Sequence, residues 1–152
     1  MGRKIKTVAA ALALGVAALG GSGPLFAQPT YTGLFGNTAA GGYDVVSYFV
    51  GNGTPQRGDT SFSVTHNGAV YLFATKGNAD TFKASPAKYA PQYGGYCAWA
   101  MASGSKAAGD PNYYRLVGGK LYLNYNKDVQ DKWNKDISGF INKANGEWVK
   151  IT

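Results

Sequence analysis

Beyond its first 27 residues the 152-residue chain keeps one histidine, one cysteine and one methionine: His66, Cys97 and Met101. A soft-metal or haem site in this chain must therefore draw on those three. An imidazole and a thioether form a well-suited axial pair for haem, and they favour the reduced iron. The two-cysteine-plus-histidine motif of covalent attachment is missing, so haem would be held without thioethers or through Cys97 alone. The same three residues approach a blue-copper set, which calls for a second histidine that the chain lacks. A closed zinc site would need aspartates to join them. Haem thus ranks ahead of copper, and both ahead of zinc.

Cys97 and Met101 lie in YGGYCAWAM, residues 93–101. Four positions apart, they share a face whether the segment is a helix or a strand. The alternative is that Cys97 is a small buried hydrophobe, Met101 a gap-filler and His66 a surface residue beside a turn. Cys97 with His66 is the one thiol nucleophile–base couple available, with Asn and Asp candidates to orient it. Nothing around Cys97 carries the local signature of a thiol hydrolase. Asp44 and Ser47 in GYDVVSYF could enter a serine triad only through geometry that spacing does not supply. The expectation is a protein without catalytic residues. Gly94-Gly95 and Gly118-Gly119 have neither the GxGxxG context nor a Walker lysine, and read as turns.

Several elements must position these residues. MGRKIKTVAAALALGVAALGGSGPLFA, residues 1–27, has a basic start, an apolar run from Val8 to Leu19 and a small-residue exit at Ala27. That is the pattern of a secretory signal peptide, so the expected destination is periplasmic or extracellular, with no membrane span after cleavage. Removing Arg3, Lys4 and Lys6 from the 15 basic residues leaves 12 against 8 acidic ones, a net charge of +4. The basic residues are scattered singly, which argues against nucleic acid as a partner. A lone cysteine forms no internal disulfide.

Residues 28–40 read as an irregular arm, and 41–152 as a single domain. SFSVTHNGAVYLFA alternates across Asn67-Gly68 and predicts a hairpin over 61–74 with a type I′ turn. A short helix should follow and end near Pro86. YYRLVGGKLYLNYN repeats the hairpin signal. Val129, Trp133, Ile137, Phe140, Ile141 and Ala144 then fall at helical spacing behind Asn126 as N-cap, with Gly139 a weak point. The two hairpin–helix segments align at a constant offset of 51: Gly68 with Gly119, Tyr71 with Tyr122, Leu72 with Leu123, Lys76 with Lys127, Asp80 with Asp131, Phe82 with Trp133. A duplicated ββα unit would give an α+β fold, a small antiparallel sheet from two hairpins with helices on one face.

FATKGNADTFKASPAKY, residues 73–89, resembles the YHS domain, a small module found beside metal-handling proteins. Phe73, Thr75, Phe82, Pro86 and Tyr89 stand where that pattern requires them, while its two cysteine positions hold Ala74 and Asn78. GYDVVSYF, YAPQYGGYCA and GKLYLNYN extend the resemblance to the exported, stand-alone branch of YHS-like proteins, over most of residues 40–150. The resemblance implies the fold; with Ala and Asn in place of thiolates it does not imply the family's metal site. The functional expectation is an exported redox carrier that holds haem or copper with His66, Met101 and Cys97 and exchanges electrons with a partner protein. The alternative is a YHS-like binding or scaffold module for a small ligand or a partner protein, with a Cys97-dependent thiol enzyme behind both.

Overall fold

The computed structural model describes residues 29–151, so the expected signal peptide lies outside the described residues. The class is α+β. Its elements in chain order are β1 (Tyr43–Asp44), β2 (Gln56–Arg57), β3 (Asp59–His66), β4 (Ala69–Phe73), α1 (Lys76–Ala84), α2 (Pro86–Tyr89), α3 (Ala98–Met101), β5 (Asp110–Val117), β6 (Lys120–Asn124), α4 (Lys127–Asn134) and α5 (Ile137–Trp148). The strands pair antiparallel as β1–β2, β3–β4 and β5–β6, so the two hairpins keep separate ladders and do not join in one sheet.

Local chemistry accounts for the hairpins and the helix starts. Asn67 and Gly68 both take positive φ, 51° and 76°, as do Gly118 and Gly119, 57° and 74°, which is the backbone a two-residue type I′ turn needs. Thr75 and Asn126 cap α1 and α4 by accepting the amides of Asn78 and Val129 at 3.0 and 2.9 Å. The helical pattern after Asn126 is two helices, not one. Asp136 breaks it and caps α5 through the amide of Gly139 at 3.1 Å. Gly139 thus belongs to a helix start, where a side chain would strike the Asp136 carboxylate.

The repeat at offset 51 is structural. Both hairpins shift register at matching places, between Asp59 and Ser63 and between Asp110 and Tyr114. In both bulges the aspartate accepts the amide two residues on, Ser61 at 2.7 Å and Asn112 at 2.8 Å. Lys76–Asp80 and Lys127–Asp131 form matching ion pairs on α1 and α4. The repeat also reaches upstream at a different offset. Ala40–Gly42 and Tyr93–Gly95 are both left-handed turns, with φ of 51°, 60° and 80° against 57°, 61° and 84°. Each leads to a tyrosine paired across to the later strand region, Tyr43 with Arg57 and Tyr96 with Ala108.

Two apolar clusters fill the domain. One holds Val45, Val46, Tyr48, Tyr71, Phe73 and Phe82. The other holds Tyr93, Met101, Tyr122, Trp133, Ala144 and Trp148. β6 joins them by strand alternation, since Leu121 and Leu123 belong to the first cluster and Tyr122 to the second. Two tyrosines tie the halves: the hydroxyl of Tyr48 donates to Pro111 O at 2.7 Å and that of Tyr114 to Gly53 O at 3.1 Å.

Gly58 and its counterpart Gly109 sit where no side chain fits. A Cβ at Gly58 would lie 2.4 Å from the Leu72 carbonyl carbon, and one at Gly109 would lie 2.1 Å from Gly95 O. Backbone cannot yield as a flexible side chain can, so G58A and G109A should each lose about 1–3 kcal/mol or more in urea unfolding. G146A, in α5 with open space around it, should gain about 0.5–1 kcal/mol.

Burial first, then neighbours including Tyr43 and Tyr114, push the Tyr48 hydroxyl well above its ordinary pKa of 10.0. The unfolded chain therefore releases this proton first, and the stability that it carries is full below pH 10 and falls as the pH climbs above it. Urea unfolding above and below that point should show this loss, and Y48F should reduce it.

Candidate functional site

His66, Cys97 and Met101 are not brought around one space. Cys97 is buried. Its amide donates to Ala107 O at 2.9 Å, and its thiol lies 3.6 Å from Asn124 Oδ1, to which it donates. The Met101 amide donates to Cys97 O at 3.0 Å, so the two do share one helical turn. Met101 is fully buried in the second cluster. His66, half-buried at the end of β3, packs against Tyr71 and Phe82 of the first cluster, with ring centroids 6.2 and 5.8 Å away. Of the three, Cys97 and Met101 have their sulfurs in the core, and His66 lines the cleft described below. Among the described residues no group of three or more His, Cys, Asp or Glu side chains is placed to hold a metal ion.

Asp44 and Ser47 form no triad with His66. Asp44 is fully buried, and its carboxylate accepts four donors: the amides of Val46 (2.9 Å), Ser47 (3.2 Å) and Ala74 (2.9 Å), and Asn78 Nδ2 (2.8 Å). Ser47 Oγ donates to Asp44 O and accepts the Gln56 amide at 3.0 Å, which occupies its proton and keeps it internal. Ala74, through its amide, and Asn78, through its side chain, thus converge on this carboxylate from β4 and α1.

In the second half Cys97 stands where Asp44 stands in the first, each at the start of a short helical segment behind GGY. A neutral thiol cannot accept as a carboxylate does, and Asn124 reaches over from β6 instead. Its Oδ1 accepts the Trp99 amide at 3.1 Å, as Asp44 accepts that of Val46. Asn124 Nδ2 and Trp133 Nε1 are left buried with no partner among the described residues.

The space that His66 does reach is a cleft of about 400 Å³, within the ordinary range for small-molecule sites. His66 and Tyr71 of the first hairpin form one side, Tyr93 of the left-handed turn and Trp148 of α5 another; Lys120 stands at the start of β6. Pro29 and Thr30 of the arm close part of the mouth. The arm is held there by the Tyr31 amide, which donates to Gly94 O at 2.8 Å, and by Tyr31 packing on Tyr96 with ring centroids 5.5 Å apart. Only glycine lets it approach so closely, since a Cβ at Gly94 would overlap Pro29 O.

The polar end of the Tyr93 ring is committed. The Tyr93 hydroxyl donates to Asn145 Oδ1 at 2.9 Å, and Thr30 lines the cleft with Tyr71. Burial raises the pKa of both tyrosines, so both stay neutral. Sequence reasoning found His66 but missed Tyr71, Tyr93, Lys120, Asn145 and Trp148 as parts of one site. The available signal was a bulky residue in a glycine-rich left-handed turn, Tyr93.

Comparison with protein-family models, with curated proteins and with solved structures gives no match to this chain. Among the described residues no helix is long and apolar enough to cross a membrane.

The burial of Cys97 bears on the thiol-enzyme expectation. Iodoacetamide near neutral pH should label native protein at least a hundredfold more slowly than protein in denaturing urea, read by intact mass. Native labelling as fast as that of a free thiol would return Cys97 to the list of nucleophiles.

Proposed function

We propose that this chain is an exported, non-catalytic YHS-like binding module that holds a small organic ligand in the cleft between the first hairpin and α5. The observation that carries this reading is the cleft itself: ring walls from three elements, closed by an arm seated on Gly94. The reactive side chains lie elsewhere, Cys97 and Ser47 in the interior with their hydrogens committed. What the cleft presents is rings and hydrogen-bonding groups, the walls of a binding space. Export rests on the N-terminal 27 residues, and the family on the segments quoted above.

The redox-carrier reading keeps one support, the place of His66 on the cleft wall. It reduces to a cofactor held by one side-chain ligand, with Met101 and Cys97 serving as core. Titration with hemin discriminates: a Soret shift that H66A abolishes would favour the carrier, and a spectrum indifferent to H66A would leave the binding module.

A screen of small aromatic compounds by 1H–15N NMR tests the proposal. The amides of Tyr71, Tyr93, Lys120 and Asn145 should shift together, saturably, at sub-millimolar ligand. Shifts absent throughout, or scattered away from the cleft, would overturn it.

A further inference from the structure

Resting on that reading of the cleft, we propose that its ligand is a planar organic anion, an aromatic carboxylate, with Lys120 as counter-charge. The shape part of the argument lies in the rings. His66, Tyr71, Tyr93 and Trp148 all line the space, the rings tilted to one another as His66 is to Tyr71 (59°) and Tyr93 to Trp148 (68°), so the lining is aromatic on more than one element. A one- or two-ring body suits about 400 Å³.

The charge part is a one-sided balance. Among the described residues no Asp or Glu lines the cleft, whereas Lys120 does. Elsewhere in the described chain the ammonium groups of Lys76, Lys127 and Lys150 are paired with carboxylates. Asp44, Asp59, Asp110 and Asp136 accept backbone amides of their own segments. Lys120, like several other lysines, joins none of these ion pairs, and among the described lysines it is the one that lines the cleft.

The hydrogen-bonding part points the same way. The Tyr93 hydroxyl occupies Asn145 Oδ1, so the remaining capacity of that amide includes its two N–H donors. Lys120 adds an ammonium, while the side-chain acceptors on the cleft are the neutral oxygens of residues such as Thr30, Asn67 and Gln92 and include no carboxylate among the described residues. A carboxylate supplies acceptors only, in the form that pairs best with an ammonium. A neutral ligand of the same shape would stack equally well and leave the ammonium unanswered.

The test uses trans-cinnamate and its neutral isostere cinnamamide, measured by calorimetry on the purified protein at low salt. Cinnamate should bind at least tenfold tighter. K120Q should bring the two within twofold of each other by weakening cinnamate alone, and K120R should restore the preference. Added salt should weaken cinnamate and leave cinnamamide unchanged. Equal affinities in wild type and K120Q would overturn the anion preference and leave the cleft as a binding site. Failure of both probes, while other compounds from the NMR screen shift the cleft amides, would overturn the ligand class. Failure of every compound would remove the cleft reading, and this inference with it.

Discussion

A single buried carboxylate organises the first half of this domain. A charge taken out of water costs several kcal/mol unless hydrogen bonds replace its hydration, and Asp44 collects four, from three different parts of the chain. The Val46 and Ser47 amides begin the helical segment 45–49, the Ala74 amide ends β4, and Asn78 belongs to the first turn of α1. Each donor is usable only if its element is in place, so the carboxylate couples the three. Ser47 carries the coupling one step farther, to Gln56 and the β1–β2 pair. The apolar cluster then packs against elements whose relative positions polar contacts already hold.

The second half solves the same problem without a charge. Cys97 replaces the carboxylate, and Asn124 caps the segment from a neighbouring strand. The second half also buries two donors without partners among the described residues, Asn124 Nδ2 and Trp133 Nε1, each worth about 1–3 kcal/mol of lost hydration. Met101, Trp133 and Trp148 fill its cluster, and α5 contributes Ala144 and Trp148 to it. At the corresponding place, 51 residues earlier, the first half has only the single turn of α2, and it is the greater length of α5 that supplies Trp148 and Asn145 to the cleft. The asymmetry between the repeats is thus where the cleft arises: one half contributes a hairpin end, the other a turn and the longer helix.

Much of the architecture was legible because its signals are local. Asn67-Gly68 and Gly118-Gly119 specify their turns by backbone conformation, Asn126 its helix by a side-chain oxygen, and the matched residues at offset 51 are the hairpin–helix units. The upstream half of the repeat was hidden because the connection from Cys97 to Ala108 is two residues shorter than that from Asp44 to Arg57, which moves GGYD and GGYC out of the common register. One helix was read where two exist, since Asp136 continues the apolar period while its side chain ends the hydrogen-bonded run. The placement of the candidate ligands was less legible. Residue type names side chains that bind metals but not where the fold puts them, and Cys97 and Met101 satisfy helical spacing by facing the core while His66 lines the cleft. The cleft residues come from separate elements with no shared motif, so only the tertiary fold assembles them.

The hydrogen bonds around Asp44 are divided evenly between its two oxygens. Oδ1 accepts the Val46 and Ser47 amides, both from the segment that the residue itself caps. Oδ2 accepts the Ala74 amide at 2.9 Å and Asn78 Nδ2 at 2.8 Å, from the end of β4 and the first turn of α1. One oxygen thus closes a local turn and the other ties two distant elements to it. An aspartate has the two oxygens that this division needs, and N–H groups that reach it from both directions replace the water it gave up on burial.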